Sequence, residues 1–133
     1  ILTARGNAHF LKSNVDLAMA DFERALNLSP TYAPALTGRG RVWHKKGDDD
    51  KAMADFDKSI SLDDRNIESR LARADIQVAR RNQDAALDDL HRIENLKPRD
   101  LFEVFAQTAA KAKIKQLEND SCRSGGQRDA RCL

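Results

Sequence analysis

The chain has 133 residues, 41% hydrophobic and 33% charged, a balance that predicts one soluble domain. No apolar run approaches the roughly 20 residues that a membrane-spanning helix needs. Residues 1–98 carry 16 basic and 16 acidic side chains, and the net charge of the whole chain is only +2, so composition gives no argument for a nucleic-acid partner.

The opening residues already contain a pattern that returns. Ala18-Met19-Ala20-Asp21-Phe22 recurs unchanged as Ala52-Met53-Ala54-Asp55-Phe56, a step of 34 residues. Gly6 pairs with Gly40 at the same step, Leu26 with Ile60 and Leu28 with Leu62. A second step reaches Ala86, Asp89, Leu90, Arg92, Leu96 and Pro98. A fixed period of this length signals an array of supersecondary units rather than one closed core. Three units fit, at 1–32, 33–66 and 67–100.

Each unit reads as two helices and a turn. In the second, Leu36, Gly40, Val42 and Trp43 fall on one helical face, and Ala52, Phe56, Ser59 and Ile60 on the face of the next helix. Between them, Gly47 can leave the first helix and Asp48 can cap the second. Asn14 and Asn82 occupy the matching cap positions. Pro30 and Pro98 follow the second helices of their units. Gly6 and Gly40 sit inside helices at a cost of about 1 kcal/mol each against alanine, which predicts close contact with Ala18 and Ala52. A seventh helix is expected over 101–118, with Leu101, Val104, Phe105, Ala109, Ala112 and Leu117 on its buried side and Lys111, Lys113, Lys115 and Glu118 outside, closing the array as a capping helix.

Residues 119–133 break the pattern. Ser124-Gly125-Gly126-Gln127 is linker chemistry, and Cys122 and Cys132 both lie in this tail. They are candidates for a local disulfide, which leans toward an extracytoplasmic oxidising compartment, or for two unpaired thiols in a reducing one. No nearby histidine or further cysteine completes a zinc set. The start at Ile1, without methionine or signal segment, reads as a processed form or a fragment.

The period, the helix–turn–helix unit and the residues Leu36, Gly40, Trp43, Gly47, Ala52 and Phe56 together resemble the tetratricopeptide repeat family over residues 1 to about 100. Unit one supplies Leu2, Gly6, Ala18, Phe22, Ala25 and Pro30, with His9 as a packed stand-in for an aromatic. Unit three is degenerate, with Ala74, Gln77 and Leu90 at the pattern positions, and Asp64 stands where unit two would carry proline. The resemblance implies an all-α, right-handed superhelix whose first helices line a concave surface. Some relatives hold a chaperone C-terminal carboxylate in a basic and amide clamp. Of that clamp only Asn7 survives here, since Thr3, Gly38, Glu68 and Ala72 occupy the other positions, so an adaptor of that type is not expected.

No catalytic constellation stands out, and the chain reads as a non-enzyme needing no cofactor or metal. His9, His44 and His91 are scattered, Asp48-Asp49-Asp50 is accounted for by a helix N-terminus, and Arg39-Gly40-Arg41 lies inside a helix rather than in a phosphate loop. Rows spaced by one repeat period should cross the concave surface: Thr3, Thr37 and Leu71; Asn7, Arg41 and Asp75; Phe10, His44 and Val78; Leu11, Lys45 and Ala79. Arg41, Lys45 and His44 make its middle basic, and Phe10 and Val78 add apolar contact. Asn7, Phe10, Arg41, His44, Lys45, Asp75 and Val78 are therefore the candidate peptide-binding residues, with acidic groups of another protein the expected partner chemistry. A structural alternative has Arg41 simply paired with Asp75. Self-association into a homo-oligomer, and a regulatory portion of a larger enzyme, are the competing functions.

Overall fold

A computed structural model describes residues 1–124, with side chains through 120. Seven helices follow one another: α1 (Leu2–Leu11), α2 (Val15–Leu28), α3 (Ala33–Lys45), α4 (Asp49–Leu62), α5 (Ile67–Ala79), α6 (Gln83–Glu94) and α7 (Leu101–Ser124). There is no strand among the described residues. Each helix packs on its neighbour in sequence, and α1, α3, α5 and α7 also touch in succession. The result is a right-handed α-α superhelix with the odd-numbered helices lining its inner face.

The first helix of each pair ends in one kind of turn, although only one of the three carries glycine. Ser13, Gly47 and Arg81, one period apart, all adopt positive φ, at 64°, 87° and 61°. In each turn a backbone N–H reaches back over the helix end, as Asn14 to His9, Asp48 to Trp43 and Asn82 to Gln77, satisfying carbonyls that would otherwise be orphaned. The cap side chains do not follow uniformly. Asp48 accepts from the Lys51 N–H at 3.2 Å, whereas Asn14 and Asn82 hold the N-cap position through their backbone carbonyls alone. Asn66 caps α5 by accepting from Ser69 N–H at 3.1 Å.

Two phenylalanines anchor the array. Phe22 and Phe56 are fully buried, Phe22 with Ala18, Met19 and Val42, and Phe56 with Ala52, Ile76 and Trp43. These rings are the nearest neighbours of the helix glycines. A Cβ on Gly6 would stand 2.8 Å from the Phe22 ring, and one on Gly40 2.6 Å from that of Phe56. One on Gly38 would press still closer on the Phe22 ring. Two first helices thus close on one ring, which is how units one and two are joined.

The seventh helix departs from expectation in both length and phase. It continues past 118 to Ser124, because no glycine or proline interrupts the run before Gly125. It also buries Ala106, Ala110, Ile114 and Leu117 against Leu90 and Ile93 of α6, while Leu101, Val104, Phe105, Ala109 and Ala112 face outward. The reason is register. Helices α3, α5 and α7 begin one repeat period apart, so Ala110 takes the inward place of Val42 and Ile76. Of the residues expected inside, only Leu117 is. The pairing of Cys122 with Cys132 lies outside the described residues.

Candidate functional site

Every unit carries one charged clamp that fixes the orientation of its first helix. Arg5 meets Asp21, Arg39 meets Asp55 and Arg73 meets Asp89, each pair 16 residues apart and each pair one period from the next. All three are two-bond forks, with Nε and Nη2 donating to the two carboxylate oxygens at 2.5–2.9 Å. The aspartates are buried. The fork from Arg5 holds the Asp21 carboxyl below its ordinary value, and the partner carboxylates raise Arg39 and Arg73. The repeat of Asp21, Asp55 and Asp89 is plain in the sequence. Its arginine partners were not singled out from the sequence, although they recur there at the same step.

Below these clamps, the inner surface presents an open concavity of about 410 Å³ lined by Phe10, Arg41, His44, Lys45, Phe56, Ala72 and Asp75. Three helices supply most of it: α1 gives Phe10, α3 the three basic side chains, and α5 Ala72 and Asp75. Arg41 lies two residues beyond the clamped Arg39, so fixing Arg39 on Asp55 turns Arg41 into the groove. Its guanidinium carbon stands 4.5 Å from the Phe10 ring centroid, and Lys45 Nζ stands 5.2 Å from the same centroid. Two cations therefore share one aromatic ring, each attraction worth about 0.5–1 kcal/mol at an exposed site. Lys45 also donates to Ser13 Oγ at 3.4 Å, and His44 Nδ1 lies 2.6 Å from Asp49 Oδ1.

The alternative pairing of Arg41 with Asp75 does not form. Asp75 bonds instead to Lys113 of α7, which neutralises it. Asn7 falls in an adjoining concavity of about 330 Å³, with Pro34, Thr37, Glu68 and Phe102. Val78 is partly exposed but lines neither concavity. The threonine row turns inward: Thr37 is buried and bonds to Ser69 Oγ at 2.8 Å and to Asn66 Nδ2 at 2.9 Å. Among the described residues, no three histidine, cysteine, aspartate or glutamate side chains group as a metal site.

Residues 1–32 and 33–66 each match the family model described as tetratricopeptide repeat. The chain is a tetratricopeptide repeat protein. The match ends where the degenerate third unit begins, although α5 and α6 keep the paired-helix geometry of the first two. No curated protein is similar enough in sequence to match. Solved structures share the fold at low identity. The type III secretion translocator chaperone SycD of Yersinia enterocolitica superposes with a TM-score of 0.81 at 12% identity, over 90% of this chain and 83% of that one. The first tetratricopeptide domain of human RPAP3 gives 0.69 at 18% identity, covering 90% and 94%. The first such domain of Spaghetti (RPAP3), solved with the HSP90 peptide SRMEEVD, gives 0.67 at 17%, covering 85% and 90%.

Proposed function

We propose that this tetratricopeptide repeat protein is an interaction module that takes a segment of another protein along its concave surface, in a scaffold or adaptor role. The segment carries acidic groups, received by Arg41 and Lys45. The observation that supports this reading is the pair of cations held over the Phe10 ring. Their positive charge is positioned but meets no carboxylate among the described residues, while Asp75 opposite is neutralised by Lys113. A carboxylate entering the concavity gains a charge-assisted hydrogen bond with little reorganisation of the site.

The reading is tested by selecting binders from a displayed random-peptide library and measuring their affinity by calorimetry. Selected peptides should be enriched in Asp and Glu. Arg41→Glu should weaken them by about 1.5–3 kcal/mol, the range for a hydrogen bond to a charged group. The thermal melt should hardly move, because Arg41 has no carboxylate partner among the described residues. Binding that tolerates both Arg41→Glu and Lys45→Glu overturns the proposal.

A further inference from the structure

We propose that the outer face of α7 is a self-association surface, on which α7 of a second copy lies antiparallel. Helix α7 starts in the phase of a further first helix, one period after α5, and its inner side is satisfied by α6. In the three preceding units the opposite side of the first helix is covered by a second helix. On α7 it is bare. Leu101 and Phe105 are 68% and 65% exposed, Val104 is 42% exposed, and Thr108 and Ala112 continue the same line. Lys115 then ends the stripe, which covers about three turns, or about 16 Å.

The charges beside the stripe select the occupant. Asp100, at the N-cap, and Lys111 lie eleven residues apart, close to three full turns, so they share one edge. In an antiparallel pair centred near Phe105, like edges meet, and Lys111 of each copy faces Asp100 of the other. Leu101 of one copy then lies by Ala112 of its mate, and Phe105 by Thr108. Antiparallel helices also set opposite dipole ends together. A two-fold contact requires a patch complementary to itself, and one acid and one base placed symmetrically about an apolar centre meet that requirement. The contact is small, so the dimer is reversible.

Sedimentation velocity over a concentration series of the full chain tests this. The weight-average mass should rise from 14.9 kDa toward twice that value. Phe105→Glu should weaken dimerisation about tenfold or more, as expected for loss of a central anchor. Lys111→Glu should weaken it too, and more so near 0.01 M salt than near 1 M, where the charges are screened. Both side chains are exposed, and helical circular dichroism and the melt should stay as in the parent. Arg41→Glu, which probes the groove, should leave dimerisation unchanged, so the two proposals fail separately. A chain that stays monomeric up to about 1 mM overturns this one. So does a dimer indifferent to Phe105→Glu, or a stripe that only a foreign helix covers.

Discussion

Gly38 shows how much a single atom decides in this array. It sits in α3, yet the missing Cβ belongs to the space of a ring from α2, and the ring is fully buried. Gly38→Ala should therefore destabilise the protein by about 1–3 kcal/mol through overpacking, even though alanine favours helix by up to about 1 kcal/mol. Urea melts measure this, and an unchanged or raised midpoint would mean that the ring moves aside. Phe56→Ala empties the corresponding space in unit two and should cost about 3–5 kcal/mol. Both phenylalanines were legible from their spacing of one period. The glycines' neighbours were not, because helix phase says which face a residue lies on, not how far a ring from the next helix extends.

The charged residues make their own prediction at this scale. Asp21 is held below its ordinary value of 3.8 by the fork from Arg5, and Glu103 below 4.5 by the Arg99 backbone N–H and by Arg65. Both carboxylates have lower folded than unfolded pKa, so they contribute stability above about pH 4.5 that is lost as pH falls through the folded values. Melting temperature should be level near neutrality and decline below about pH 4. Asp21→Asn should lower the neutral-pH value and flatten the acid slope. An unaltered slope in Asp21→Asn would show that the Arg5 fork contributes nothing to stability.

At the scale of elements, the first-helix turns separate what the residues prefer from what the repeat imposes. Gly47 takes positive φ without strain, whereas Ser13 and Arg81 are forced into it by the same pair of reaching backbone bonds. A left-handed conformation costs a residue with Cβ roughly 1–2 kcal/mol. Arg81→Gly should recover part of this and raise stability by about 0.5–1 kcal/mol, net of the extra entropy of glycine in the unfolded chain. Gly47→Ala should do the reverse, and differential scanning calorimetry distinguishes the two directions. The turns were legible from Lys46-Gly47-Asp48 alone and could be carried to the other units by the period. The face of α7 was not. Read alone, Leu101, Val104 and Phe105 look like the buried side, and only the stack shows that Ala106 and Ala110, being small, let α7 close on α6.

For the whole molecule, the superhelix turns a local repeat into a long-range surface. The clamps at Arg5, Arg39 and Arg73 fix each first helix against its second, and Lys46–Asp16 and Arg80–Asp50 tie successive units, again one period apart. Residues far apart in the chain are thereby brought to one groove, as Phe10 is to Arg41 and Lys45. Its members Phe10, Arg41, His44, Lys45 and Asp75 could be read from the rows because the period is strict. The details could not: Asp75 turns to Lys113 since α7 brings that side chain within reach, and Thr37 turns inward because Ser69 and Asn66 offer its hydroxyl buried partners.

The most direct test of the groove is an NMR titration of labelled protein with an acidic peptide selected on it. The largest shift changes should fall on the inner faces of α1, α3 and α5, at Phe10, Arg41, His44, Lys45 and Asp75, and vanish in Arg41→Glu. Changes confined to α7, or to the outer helices α2, α4 and α6, would contradict the proposed groove site.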